Sequence, residues 1–356
     1  MVDQVQRDLS GLCHDAVAAL IAGGYPTARA CELVAQPRSS WYHQLQQQGR
    51  VEDEQARAAA RSRVDSEQPA ALSQEERQNI LDLLGCEQWQ DLSVQQVYWT
   101  AFDADLVACS ERTFYRVAAA AGLTGDRRRG KHSTQHGGAS GSGRPAPVVA
   151  ATAVNQLWSW DISALPGPGR SCYQLFLVMD VYSRFPIGFR VELDGSRHHA
   201  VDMFAQAFTA FGRPKVLHSD NGAQMRSRDL AELLDDVEQV VQASFSRPHV
   251  SDDNPFSEAL FKTIKYDLEM PEFFATVEEA RAWIEAYLRR YAAEHHHSGL
   301  ANFTPEQVYT GQVETIHAQR QATLDKNYRE HPERYRKPPR AKTPPGTVGI
   351  NLSKTG

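Results

Sequence analysis

The chain has 356 residues, 41% of them hydrophobic, which is enough for two domains with cores of their own. Its formal net charge of -6 means that no overall basic balance announces a polyanionic partner, although local clusters can still grip one. No segment reaches 18 apolar residues and MVDQVQRDLSG carries no long apolar run, so neither membrane spanning nor secretion is expected. Five cysteines (Cys13, Cys31, Cys86, Cys109 and Cys172) never form CxxC, which suits a reducing cytoplasm without disulfide framework or thiolate zinc site.

In chain order, LCHDAVAALIAGG, TARACELVA and SSWYHQLQQQ predict three short helices, the first ended by a Gly pair. They suggest a helix-turn-helix-like domain over residues 1–48, although Ala-rich helix packing without function accounts for the pattern equally well. A charged linker, residues 49–71, follows. LSQEER then predicts a capping box from Ser73 to Glu76, opening a helix that runs to about Leu84. DLSVQQVYWTAFDA and SERTFYRVAAAAG predict two more helices, the second capped by Ser110 and stopped by Gly122. That second helix would show Arg112, Thr113 and Arg116 outward and turn Phe114 and Val117 inward, an arrangement able to enter a major groove. The basic arm after it (Arg127, Arg128, Arg129 and Lys131) would reach phosphates. We therefore place a second helix-turn-helix domain, DNA-binding, over residues 72–131. STQHGGASGSGRPAP has no apolar face, so residues 132–150 are expected to be a flexible linker.

Beyond it the period changes. LWSWDISAL, CYQLFLVMDVYS and FPIGFRVEL predict three strands. A helix capped by Ser196 and ended by Gly212 follows, then strand KVLHSD, helix RSRDLAELLDDVE, strand VVQASF and helix NPFSEALFKTIKYDL. TVEEARAWIEAYLRRYAAEHH predicts a long helix with a capping box from Thr276 to Glu279. The fold class is α/β: a five-stranded mixed sheet with flanking helices over residues 151–312, preceded by all-α regions. Residues 313–356 are expected to be a Pro-rich basic tail. From Lys326 to Lys342 it has seven Lys or Arg against two acids.

Three acids occupy informative places: Asp161 within the first strand, Asp220 at the end of the fourth and Glu258 early in the helix after the fifth. If the first and fourth strands are neighbours, the three converge. Carboxylates brought together repel unless a cation lies between them, and hard oxygen donors favour Mg²⁺ or Mn²⁺. On the residues alone, a cap or surface role for each acid stays open, and Asp220-Asn221-Gly222 is also turn chemistry. Glu258, Lys262 and Lys265 fall on one helical face, either as solvent ion pairs or as lysines pointed at phosphates.

WSWDI, DVYSR, HSDNG, SRPHVSDDNPFSEALFKTIKY and HHSGLANFTPEQVYTG, in this order, closely resemble the catalytic core of insertion-sequence transposases, whose core is retroviral-integrase-like and ribonuclease-H-like. SERTFYRVAAAAGLTGDRRR resembles their DNA-binding region. The resemblance implies an Asp-Asp-Glu transposase with Asp161, Asp220 and Glu258 as catalytic metal ligands for Mg²⁺, with Mn²⁺ as substitute. It places a DNA-contacting lysine at Lys265, and supporting residues at His218, Asn221, Gly222 and Asn254. Its implied partners are double-stranded DNA, as terminal inverted repeats and target, and further copies of the chain, at least a dimer on paired ends. It implies a bacterial cytoplasmic setting on the nucleoid, with no membrane. Thirty-seven residues separate Asp220 from Glu258, slightly more than the family spacing, which implies a small loop insertion. The run His295 to His297 replaces a family arginine, and adjacent helical histidines diverge too much for a structural zinc site. A metal-dependent nuclease and a catalytically silent DNA-binding relic of a mobile element are the competing readings.

Overall fold

A computed structural model of the chain describes residues 2–43, 45, 70–124, 146–222, 224–235, 239–247 and 253–352. The arm carrying Arg127, Arg128, Arg129 and Lys131 lies outside the described residues, as do residues 49–69 and 132–145 of the expected linkers and residues 248–252 ahead of Glu258, within the Asp220–Glu258 interval where a loop insertion is expected. The chain divides into two compact units, Met1–Ala71 and Leu72–Gly356.

In the first unit, α1 (Val2–Ala22) begins well before the expected Leu12 and ends at the Gly pair, where Gly24 takes a left-handed φ of 89° that a side chain would strain. α2 (Thr27–Leu33) and helical residues 38–43 complete it. Val17, Ala30, Cys31 and Trp41 form its small core, with the His14 ring stacked 4.1 Å from Trp41.

The second unit starts with three helices, α3 (Gln74–Gly85), α4 (Val94–Asp103) and α5 (Glu111–Ala120). The Ser73–Glu76 capping box forms as predicted, and Ser93 and Ser110 each cap the helix that follows them. Ile80, Leu84, Val97, Phe102, Phe114 and Ala118 are part of a shared core, so Phe114 does face inward.

The sheet has the order β4-β3-β2-β5-β6. β2 (Leu157–Pro166), β3 (Cys172–Asp180) and β4 (Pro186–Glu192) form an antiparallel meander. β5 (Val216–Ser219) and β6 (Gln242–Phe245) add parallel strands on the other side of β2, so the first and fourth predicted strands are neighbours. Side chains alternate across the sheet. Trp158, Trp160, Phe176 and Val178 pack on α6 (Arg197–Phe211) and α7 (Arg228–Leu234). Leu165, Leu175, Leu177 and Met179 face the opposite layer of α8 (Pro255–Lys265) and α9 (Val277–Glu294).

Two expectations are corrected. The Thr276 hydroxyl caps α9 by accepting from Glu279 N–H, but the Glu279 carboxylate accepts from Ala275 N–H at 2.7 Å, so the box is not reciprocal. The expected tail opens instead with a helix. After the short α10 (Pro305–Tyr309), α11 (Val313–Glu330) runs back to the three-helix module, where Leu324 joins its core. β7 (Val348–Ile350) then pairs antiparallel with β1 (Val149–Ala151). Among the described residues, no helix is long and apolar enough to cross a membrane.

Candidate active site

The register of β2 and β5 decides where the acids go. Ser159 pairs with His218 on these parallel strands, so their side chains share a face. Two residues further on come Asp161, on the same face of β2 as Ser159, and Asp220, one residue past the end of β5. β5 ends at Ser219 whereas β2 continues to Pro166, and α8 covers this stretch of β2.

α8 is fixed there by buried polar contacts. Ser159 Oγ donates to Asn254 Oδ1 at 2.5 Å and lies 2.7 Å from Ser257 Oγ, while Asn254 Nδ2 donates to the Trp160 carbonyl at 3.3 Å. Glu258 follows Ser257 directly, so these bonds hold it beside Asp161. At the far end of α8, Lys265 Nζ donates to Ser163 Oγ at 2.6 Å. Ser163 has the same facing as Ser159 and Asp161, and α8 therefore runs along β2.

His218 is fully buried and joins the two parallel strands to the α8 entry. Its Nε2 lies 2.9 Å from the Asp253 carbonyl, which can only accept, so Nε2 carries the proton and Nδ1 accepts from Ser244 Oγ at 2.9 Å. Burial lowers its pKa, in keeping with a neutral ring. The Asp253 side chain is held by Arg247 at 2.9 and 3.0 Å and by Asn351 Nδ2 at 2.9 Å. Asn221 Nδ2 donates to the Ser246 carbonyl, which ties the exit of β5 to the end of β6. Gly222 N–H donates to Asp220 Oδ1 at 2.8 Å, and a Cβ at Gly222 would meet that oxygen and the Met225 sulfur at 3.1 Å. Close approach, rather than a left-handed φ, accounts for this glycine.

Burial pushes the Asp161 carboxyl up to about 7, the negative charges of Asp220 and Glu258 push the same way, and Lys265 opposes them. Asp220 and Glu258 are exposed, so a ligand could reach them. Two aspartates and a glutamate are a hard oxygen donor set that fits magnesium or manganese. As the side chains stand, no group of three His, Cys, Asp or Glu among the described residues is close enough to hold a metal ion. The donor chemistry fits the ion, and the rotamers are not drawn into a cage.

Of the residues expected to meet DNA, Arg112 and Arg116 are exposed on α5, while Thr113 is half-buried with its hydroxyl 3.1 Å from Ser110 Oγ. Lys262 is exposed on α8. The residues missed by the sequence reading are Ser159, Ser257, Asp253 and Arg247. A polar Ser159 between two buried tryptophans was a visible signal, whereas the Asp253–Arg247 pair shows only in three dimensions. The DVYSR motif is a turn: Asp180 accepts from Asn155 N–H, Ser183 N–H and Ser183 Oγ at 2.6–2.8 Å.

The histidine run is a joint. His296 pairs through its backbone with the Gln96 side chain of α4, both bonds at 2.8 Å, and its Nδ1 donates to the Asn302 carbonyl at 2.8 Å. His297 Nδ1 accepts from Gly299 N–H at 3.0 Å. Burial, with Arg184 and His295 nearby, pushes His297 down to about 3.

Two family models, each described as an integrase core domain, match residues 151–251 and 239–305. The chain is 30% identical over 163 residues to a transposase for insertion sequence element IS904 of Lactococcus lactis, covering 45% of this chain and 63% of that protein. It is 28% identical over 170 residues to a putative transposase, InsK, for insertion sequence element IS150 of Escherichia coli, covering 46% and 59%. The match thus spans less than two thirds of the length of these curated relatives. A solved integrase catalytic core domain of HTLV-2, in complex with magnesium, shares 18% identity at a TM-score of 0.34, covering 44% of this chain and 97% of that one. Residues 151–305, which carry the five-stranded sheet and most of the helices packed on it, are thus similar to integrase core domains.

Proposed function

We propose that this protein is an Asp-Asp-Glu DNA transposase. It binds the terminal inverted repeats of its element, nicks the ends to leave 3′ hydroxyls and joins these to target DNA, working as at least a dimer on paired ends. The observation that carries this reading is the parallel pairing of β2 with β5, with α8 fixed along β2 by the Ser159–Asn254 and Lys265–Ser163 bonds, so that Asp161, Asp220 and Glu258 stand on neighbouring elements. Similarity to insertion-sequence transposases supports it.

Asp161, Asp220 and Glu258 would hold magnesium, or manganese in its place, which when bound supplies Lewis-acid stabilisation of charge on the phosphate oxygens during in-line displacement. The rest is the work of the chain. Lys265 favours the ionised form of Asp161 and offers its ammonium group to a DNA phosphate. Asn254, Ser159 and Ser257 keep Glu258 over the strand that carries Asp161. His218, kept neutral, holds the loop before α8 through the Asp253 carbonyl. Arg112 and Arg116 present cations from α5 to bases and phosphates, and the arm from Arg127 to Lys131 adds backbone contacts.

The test uses duplexes bearing the DNA that flanks the gene, where imperfect inverted repeats identify the substrate. Asp220→Asn and Glu258→Gln should each abolish nicking and joining, a greater loss than the roughly 10–100-fold typical of a supporting residue, while binding of the ends persists. Near-normal joining by Asp220→Asn would sink the proposal. Cleavage by the wild type without joining would favour a nuclease, and binding without cleavage in manganese a silent DNA-binding protein.

A further inference from the structure

The basic segment after α11 has no part in the reading above, yet the chain orders it from one DNA-facing region to the other. Between Tyr335 and Leu352 stand Arg336, Lys337, Arg340 and Lys342, with no Asp or Glu among them. All four are exposed, and none has a carboxylate partner among the described residues. Their neighbours behave differently. Lys326 is paired with Asp105 at 2.8 Å, and Arg334 grips Glu76 with two bonds of 2.7 and 2.9 Å. Cations just before the segment anchor it, and those within it are unneutralised.

The anchoring continues along its length. The Gln321 side chain of α11 donates to the Pro339 carbonyl at 3.2 Å and accepts from Ala341 N–H at 2.9 Å. Val348–Ile350 pairs with β1, and Asn351 Nδ2 reaches both the Pro147 carbonyl at 3.0 Å and Asp253 at 2.9 Å. Pro338, Pro339, Pro344 and Pro345 fix φ and remove backbone donors, so the backbone between anchors is restricted before any ligand arrives. One end lies at the start of α3, where Cys109, the residue before the α5 cap, feels Glu76, Arg334 and Arg116 together. The other end touches Asp253, next to the Asn254 that holds α8.

We propose that residues 335–352 are a strap that tracks the DNA sugar-phosphate backbone between the three-helix module and the catalytic face. The strap rests on the transposase reading only in taking duplex DNA as the polyanion. A row of exposed, unpaired cations on a pre-ordered segment suits phosphate contacts, which need charge and spacing but no base edge. The strap has no large exposed apolar side chain, as an acidic protein partner would usually require alongside charge.

The experiment is fluorescence anisotropy of the full chain with a short random-sequence duplex across a salt series. In the fourfold variant Arg336→Gln/Lys337→Gln/Arg340→Gln/Lys342→Gln, binding should weaken at low salt. The slope of log K against log salt should become shallower by about 3–4, since each phosphate contact contributes about 0.9. Arg112→Gln/Arg116→Gln should instead reduce the preference for element-end DNA over random sequence. If the fourfold variant melts below wild type, the pairs Arg336→Gln/Lys337→Gln and Arg340→Gln/Lys342→Gln should each give about half the slope change. Arg336→Lys/Arg340→Lys should bind as wild type does, because point charges suffice. An unchanged slope in the fourfold variant, or a wild type that ignores random duplex, would overturn the strap. Binding needs no chemistry, so failure of the wild type to join DNA would sink the transposase reading and leave the strap standing.

Discussion

Two buried polar joints hold the second unit in shape, and they differ in where they put charge. Under the face that carries Asp161, Ser159, Asn254, Ser257 and His218 form a network of neutral groups with a single ion pair, Asp253–Arg247, at its edge, and Asp220 and Glu258 stand exposed at the rim. Between the three-helix module and the core, the charge itself is buried. Arg320 of α11 is 3% exposed; it makes two 2.7 Å bonds to Asp103 of α4 and donates to the Asn302 carbonyl at 2.8 Å. Its guanidinium lies 4.8 Å from the Trp99 ring centroid and 4.3 Å from that of Phe303. A neutral network can set geometry at low cost to stability, leaving exposed acids replaceable without unfolding. An ion pair with its cation buried couples two modules, and removing Asp103 leaves the Arg320 charge uncompensated.

The largest effect on the fold should therefore come far from the chemistry. Arg320→Ala should cost about 2–5 kcal/mol in urea unfolding, because it empties the space between Trp99 and Phe303 and removes the bonds to Asp103 and the Asn302 carbonyl. The double variant Asp103→Leu/Arg320→Met should recover much of that loss, since apolar replacement of a buried pair is often close to neutral. A cost below about 1 kcal/mol for Arg320→Ala, the range of a surface pair, would erase the contrast between the joints.

The catalytic joint contains one strongly held charge, Asp253, and its signature is a pH dependence. Burial alone would raise this carboxyl, but hydrogen bonds from Arg247 and Asn351 outweigh it and hold the group at about 2, below an ordinary 3.8. A carboxyl whose folded pKa is depressed contributes stability that is complete above its unfolded pKa and lost as pH falls through the folded one. Near neutral pH the contribution is about 2 kcal/mol. The stability gap between wild type and Asp253→Asn should stay constant down to about pH 4 and close towards pH 2. A gap independent of pH would mean that the pair acts through packing alone.

What the sequence disclosed follows the same division. Strand and helix periods and the caps at Ser73 and Ser110 depend on short stretches and are legible, whereas the pairing of β2 with β5 stays a condition until the sheet order is seen. Asn254 was legible from its motif, but its role needed Ser159, 95 residues away. Arg320 and Asp103 are 217 residues apart, and nothing local marks Arg320 as buried on a helix whose other cations face solvent. The expected tail differs from the structure for this reason: α11 has little apolar periodicity of its own, and its partners come from α4 and from residues 301–303. The histidine run is likewise silent about its role until the His296 backbone is seen to pair with Gln96.

The smallest effect on the fold and a clear effect on activity should coincide at Lys265. Its one hydrogen bond joins an exposed ammonium to Ser163 Oγ, so Lys265→Ala should cost at most about 1 kcal/mol of stability. Burial lowers the Lys265 pKa and Asp161 raises it, which places the ammonium in the field of the Asp161 carboxyl. Joining should fall about tenfold or more in Lys265→Ala, the loss expected for a charged hydrogen bond to phosphate. Raising salt should deepen the defect, because counterions compete for the phosphates that remain in contact. Lys265→Arg should restore part of the rate, and Ser163→Ala should leave it near wild type, since Ser163 steadies the lysine without meeting DNA. If Ser163→Ala proves as damaging as Lys265→Ala while stability falls in both, Lys265 belongs to the scaffold under the catalytic face, and the line between rim and network must be redrawn one residue further out.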